Sequence, residues 1–324
     1  MSTKISARTA ASNETGAEIL GVIQGGADRR SILGIGKIIT PEKYGAVGDG
    51  IADDAAAVQA AIDAVPSTGG NVYCLRQYGL GAAGLALTSR TNVVLEGLMV
   101  GRFKILAASS TTLSSFGVTT IRLSSCTRCA IRRMYIDGDS KACNPVGMLS
   151  CLDCDIEENY VTTAGDKNAG IISFSGIRNR YVHNTVINGV NNSRGIWIGN
   201  TSTGEEETHS EVFGNNIINN GASGIVLCGY YLRGENNLCE GNTGAGIVVS
   251  SSANVLGRDN VVNGNICRLN GFHGIQTGDS VAPTNYQTGN IVTNNSCNGN
   301  LIHGIYVIRQ KHSIVGNNAC LDNN

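Results

Sequence analysis

Chemistry that needs paired carboxylates finds its densest footing in one polar run, Asn200 to Glu211, where Glu205, Glu206, Glu207, His209 and Glu211 crowd together. Cleavage of a glycosidic bond uses two carboxyls roughly 5–9.5 Å apart, so Glu205, Glu207, His209 and Glu211 form a candidate set supplying an acid and a base. The same run also reads as a solvated acidic loop. A second stretch, Gly278 to Tyr286, adds Asp279 as a further catalytic candidate and Tyr286 as a ring that could stack on a sugar. Asp153, Asp155 and Glu157 make a third acidic group. Asp53 and Asp54 look like a carboxylate pair, but an Asp before an Ala-rich run is the usual start of a helix, accepting from free N–H groups and facing the helix dipole. Val58, Ala61, Ile62 and Val65 then give that helix one apolar face, and Pro66-Ser67-Thr68-Gly69-Gly70 ends it.

Cysteine spacing offers a different chemistry. Cys126 and Cys129, then Cys151 and Cys154, are two Cys-x2-Cys pairs of the kind that bind zinc. Both members shift by 25 residues from one pair to the next. That shift allows four sulfurs gathered about a metal, two stacked columns of buried thiols, or a disulfide. Stacking is the expectation, because free Cys behaves as a small buried hydrophobe.

What positions all these residues is a repeat. An Asn is followed two residues later by an apolar residue or Cys, and then by Gly-Ile. The Asn positions read as Asn159, Asn184, Asn216, Asn237, Asn265, Asn295 and Asn318, spaced 25, 32, 21, 28, 30 and 23 residues apart. A period of about 26 residues marks a solenoid, whose units bury their apolar faces only by stacking on one another. Segments such as Gly195-Ile196-Trp197-Ile198 and Gly304-Ile305-Tyr306-Val307 alternate with period 2 and are too short for helices. The leucine-rich repeat has a similar period but needs several Leu per unit. A parallel β-helix fits best. Val161, Val186, Ile218, Cys239, Cys267, Cys297 and Cys320 would form an inward column, with the Asn side chains in a hydrogen-bonded ladder at a bend. Ile172, Trp197, Val226, Val248, Gln276 and Tyr306 would point outward as a stripe. An apolar stripe of that length suits a subunit contact, or else Trp197 and Tyr306 stack on sugar rings.

Composition agrees. The 324 residues contain 43 Gly and 11 Cys, with only 5% aromatic and 15% charged residues, which suits a thin-walled β-structure better than a helical enzyme. A net charge of −1 supplies no pull toward nucleic acid or an anionic membrane. No stretch approaches the roughly 20 apolar residues of a membrane helix, and no secretory signal is evident at the start.

Two stretches carry a family resemblance. Tyr44-Gly45-Ala46-Val47-Gly48-Asp49-Gly50, followed by Asp53-Asp54, resembles the opening of the pectate-lyase-like superfamily, shared by polygalacturonases, mannuronan epimerases and phage tail spikes. The resemblance implies a right-handed parallel β-helix, here all-β apart from a short capping helix within 39–70, with the β-helix running from 71 to 324. The family commonly continues with a proline that Val72-Tyr73-Cys74-Leu75-Arg76 lacks. Residues 1–38, with Lys4-Ile5-Ser6 and Val22-Ile23-Gln24-Gly25-Gly26, resemble the short segment that anchors many bacteriophage tail spikes to the virion. In lyases of this fold, acidic groups such as Asp153, Asp155 and Glu157 can hold calcium, so calcium is implied only if the chain is a lyase.

Together these imply a phage tail spike or tail fibre subunit, a homotrimer joined to phage tail or portal-proximal proteins through residues 1–38. It would engage a host surface glycan, with Trp197, Tyr286 and Tyr306 as binding residues. Cleavage of that glycan stays open. A bacterial polysaccharide lyase or epimerase without a virion role is the alternative, and a purely structural tail component a third. The chain stops before the Gly-Ile that should close its last repeat, which suggests that a carboxy-terminal part is missing.

Overall fold

A computed structural model describes residues 38–98, 100–106, 119–141, 144–162, 164–165, 169–199, 206–250, 257–278 and 286–324. Apart from Ile38, the anchor segment 1–38 lies outside the described residues, as do Glu205 and Asp279.

Strands of two to six residues separated by tight bends wind into a parallel β-solenoid of about nine turns. Every pair of neighbouring strands runs parallel, and three long sheets of eleven, nine and ten strands form its walls. The strands stay short because each turn must bend three times, and the bends need left-handed backbone. Asn188, Asn219, Asn236 and Asn294 sit at positive φ between 54° and 56°, a region Asn tolerates better than most residues.

The inward column of the eleven-stranded sheet runs Tyr78, Phe103, Ile136, Val161, Val186, Ile217, Cys239, Cys267, Cys297 and Cys320 in unbroken register. Each buried aliphatic in it contributes roughly 1.5–3 kcal/mol. The column corrects one expectation, since Ile217 faces inward and Ile218 does not. The ladder at this bend accordingly uses Asn215 rather than Asn216. Asn184 Nδ2 donates to Asn215 Oδ1 at 3.1 Å, and Asn215 Nδ2 to Asn237 Oδ1 at 2.9 Å. In Asn215-Asn216-Ile217-Ile218 either Asn satisfies the repeat locally. Stacking against Val186 and Cys239 selects the first, because a one-residue slip would turn every side chain over.

A second ladder, not anticipated from the repeat, links Asn220, Asn242, Asn270, Asn300 and Asn323 at the next bend, with amide contacts of 2.9 to 3.0 Å. Its sequence signal is a constant offset of five residues from the first ladder.

The helix Ala55–Asp63 buries Ala55, Val58, Ala61 and Ile62 against the amino-terminal turns. Gln59 ties it to the nine-stranded sheet by exchanging two hydrogen bonds with the backbone of Ala86, 2.9 and 3.0 Å. Asp53 Oδ1 accepts from Ala55 N and Gly81 N, and the Asp54 carboxylate accepts from Val47 N and Gly48 N. The two carboxylates therefore hold backbone, but the expected helix cap is met only by Asp53 at Ala55 N, since Asp54 at the cap position makes no capping bond through its side chain. No described helix is long and apolar enough to cross a membrane.

Candidate functional site

The outward column of the nine-stranded sheet keeps the expected order. Ile172 pairs with Trp197, Trp197 with Val226, Val226 with Val248, Val248 with Gln276, and Gln276 with Tyr306. Its expected exposure is only partly observed. Ile172 is fully buried with Ala169 and Phe174, and Val226 is only 7% exposed. Trp197 and Tyr306 are half-buried. They lie four rungs apart, about 19 Å at roughly 4.8 Å per rung.

Both rings are held in place. The Arg194 guanidinium lies 4.2 Å above the Trp197 ring centroid, and the edge of Phe174 meets the ring at 5.7 Å. Partial burial pulls the Arg194 pKa down. Tyr306 stacks on His273 at 4.5 Å, and His273 stacks on His303 at 5.1 Å. His273 is 3% exposed, its Nδ1 makes no hydrogen bond among the described residues, and burial beside His303 lowers its pKa to about 4.

Segments 200–205, 251–256 and 279–285 each follow a strand of this same sheet. Where the chain re-enters the described structure, polar and aromatic groups pair off. The Tyr230 hydroxyl donates to Glu206 Oε1 at 2.7 Å, the Arg258 guanidinium lies 4.5 Å over Tyr230, and Lys311 Nζ lies 4.2 Å over the exposed Tyr286 ring. Glu206, Arg258 and Lys311 were not singled out from the sequence. Arg258 is separated from its ring by a full turn, so no local pattern marks it.

The described members of the acidic candidate set occupy three different environments. Glu207 is wholly buried, and its carboxylate accepts from the Ser173, Tyr181 and Ser210 hydroxyls, the Asn179 amide and Gly176 N. His209 stacks on Tyr231 at 4.8 Å. Glu211 faces outward beside Arg180 at 3.8 Å. The third acidic group is arginine-paired throughout: Asp153 with Arg178, Asp155 with Arg132 and Arg180, and Glu157 with Arg132. Carboxylates neutralised in this way do not fit a calcium cage, which needs six to eight oxygens turned on one point.

Cys126, Cys129, Cys151 and Cys154 stand on adjacent turns, all buried. Each donates its thiol proton to a carbonyl: Cys126 to Leu87 O, Cys129 to Arg90 O, Cys151 to Leu149 O and Cys154 to Leu152 O. Buried and engaged with backbone, they pack as core. Among the described residues no three His, Cys, Asp or Glu side chains converge in a way that could hold a metal ion.

No protein-family profile matches the chain. A 50-residue stretch, 15% of the chain and 6% of the relative, is 50% identical to a capsule-specific depolymerase of Klebsiella phage K5-2. Among solved structures, a tailspike protein mutant of E. coli bacteriophage HK620 in complex with a pentasaccharide aligns over 95% of this chain and 62% of its own, with TM-score 0.67 and 14% identity. ORF18 of Geobacillus virus E2 aligns over 89% of this chain and 59% of its own, with TM-score 0.59 and 14% identity. The A-module of the Azotobacter vinelandii mannuronan C-5 epimerase AlgE4 aligns over 88% of this chain and 96% of its own, with TM-score 0.56 and 18% identity. The chain thus spans about three fifths of the phage structures it resembles, and at these identities the likeness is one of fold.

Proposed function

We propose that this chain is the β-helical part of a bacteriophage tail spike or tail fibre subunit, and that it recognises a host surface polysaccharide along the outward face of the nine-stranded sheet. The observation that carries this reading is the placement of Trp197 and Tyr306 on one axial column, each ring fixed by neighbours. Rings held in this way present a flat apolar surface at little entropic cost, and an extended glycan lying along the rod meets both. The tailspike that shares the fold is described in complex with an oligosaccharide, and the short stretch of high identity belongs to a phage depolymerase. That stretch favours the phage reading over a bacterial epimerase, which offers the fold alone.

In this reading residues 1–38 attach the subunit to tail or portal-proximal proteins of the virion. The protein is made in the host cytoplasm and acts at the host surface, with no nucleic-acid partner and no membrane insertion. Three copies assemble side by side. The apolar surface that suits such a contact includes Ile266, Leu269, Phe272 and Leu301, each at least 42% exposed. The partly buried Trp197 column suits it less.

A second reading adds cleavage and is favoured by the depolymerase relative. Its acid and base come from Glu205, Asp279, Glu206 and Glu211, since Glu207 is enclosed. Purified protein incubated with candidate host polysaccharides tests both readings. Binding that W197A and Y306A abolish supports the first, and new reducing ends support the second. An absorbance rise from an unsaturated product points to a lyase, and only then to calcium. No binding to any polysaccharide of the bacterium the phage infects overturns the proposal.

A further inference from the structure

A cavity lies away from the Trp197 column, at the bend between the ten-stranded and eleven-stranded sheets. It measures about 380 Å³ and is lined by Arg133, Glu158, Asn159, Tyr160, His183 and Thr185. The volume falls in the range of small-ligand sites, roughly 300–1,000 Å³.

The backbone builds it. Arg133, Glu158 and His183 occupy the same left-handed bend position on three successive turns, at φ 53°, 54° and 54°. Tyr160 and Thr185 are register partners on the outward face of the adjoining strands. The Tyr160 ring is 37% exposed and stacks on Tyr135 at 5.0 Å and 14°, and Tyr135 in turn carries the Arg102 guanidinium at 4.2 Å. This stack fixes the Tyr160 ring against the preceding turn.

The far wall is the His183 ring, set edge-on to Phe213 at 5.7 Å. The next residue in the bend column is Gly214, where a Cβ would come within 2.5 Å of His183 Cδ2. The imidazole leans into space that only glycine leaves. Among the described residues nothing hydrogen-bonds its ring nitrogens.

The charges select the ligand. Arg133 is clamped by Glu96, itself nearly buried, through contacts of 3.0 and 2.8 Å, and lies 3.9 Å from Glu158. One guanidinium is therefore shared by two carboxylates, and the Glu158 side chain is 47% exposed. The site offers acceptors, an imidazole, a hydroxyl and a ring face, and the exposed Glu158 carboxylate opposes an anionic sugar.

We propose that this bend pocket is a saccharide subsite for a neutral or amino sugar, which stacks on Tyr160 and hydrogen-bonds to Glu158, His183 and Thr185. It deepens the proposed glycan reading by adding a site on another face of the rod.

The test is saturation-transfer NMR on the full chain with chitotetraose, maltotetraose and tetragalacturonate, comparing wild type, Y160A, G214V and W197A. Chitotetraose or maltotetraose should bind wild type and W197A alike and lose at least tenfold in affinity in Y160A. G214V, which displaces His183, should lose several-fold, and tetragalacturonate should not compete. Equal binding by wild type and Y160A, or no binding of either neutral tetrasaccharide at about 10 mM, tenfold above a millimolar Kd, overturns the pocket. Host polysaccharide binding is read separately. If W197A abolishes it while Y160A still loses the neutral tetrasaccharide, both sites stand, and if wild type binds no host polysaccharide, the main reading fails while the pocket is judged on its own.

Discussion

The Tyr181 hydroxyl donates to Glu207 Oε1 at 3.0 Å, although the two residues are 26 apart in the chain and both side chains are wholly buried. Four further donors close on the same carboxylate. A charge sequestered in this way stays only because every lone pair is met. Glu207→Ala leaves several buried donors unmet and should cost about 3 kcal/mol or more. Glu207→Gln, keeping shape and part of the acceptor capacity, should cost less. Urea denaturation of both variants checks the order, and equal stability of E207A and wild type would show that these hydrogen bonds do not matter.

The Asn ladder makes a sharper comparison between neighbours. Asn215 is buried and bonds to Asn237 and to Tyr181 O, whereas Asn216 is exposed. Asn215→Ala should destabilise by about 1–3 kcal/mol, and Asn216→Ala by no more than about 0.5 kcal/mol. Thermal melts of the pair report the register directly, and the reverse ranking would move the ladder.

Acid should loosen the carboxy-terminal turns through His273. Its folded pKa, about 4, lies below the ordinary value of 6.5. A lowered folded pKa means that the unfolded chain binds the proton more readily. The contribution is therefore complete above about pH 6.5 and is lost as pH falls toward 4. Melting temperature measured across this window should fall, and the fall should be smaller in His273→Phe, which cannot take up the proton. Matching pH profiles would remove His273 as the cause.

All described cysteines are free, and Cys320 alone among them is exposed. A thiol reagent applied to the folded protein should therefore modify Cys320 and spare Cys126, Cys129, Cys151 and Cys154 until the chain unfolds. Peptide mapping after labelling gives the answer. Reductant should leave the melting temperature unchanged, and a loss of stability with reductant would reveal a disulfide.

Much of this architecture was legible because a solenoid writes its tertiary structure into a one-dimensional period. Residues one turn apart in sequence are neighbours in space, so the spacing of Cys239, Cys267, Cys297 and Cys320 already states that they stack. The Trp197 to Tyr306 column followed from the same logic. The opening motif at Tyr44 to Asp54 pointed to the same fold by resemblance.

Where two adjacent residues satisfy the repeat equally, as at Asn215 and Asn216, only the turns above and below decide, because a one-residue shift exchanges the inside and outside of the wall. Burial was likewise decided in three dimensions. Glu207 is enclosed because Ser173, Gly176, Asn179 and Tyr181 come from the preceding turn and Ser210 from the same bend, and nothing local distinguishes it from Glu206 or Glu211. The bend pocket was invisible for the same reason. Arg133, Glu158 and His183 differ in type and follow no motif, and they meet only because the left-handed bend stacks them and Gly214 leaves room for the imidazole. The sequence by itself determined the winding of this protein; the pairing of charges, the enclosure of polar groups and the shape of its surface sites were decided by contacts between turns.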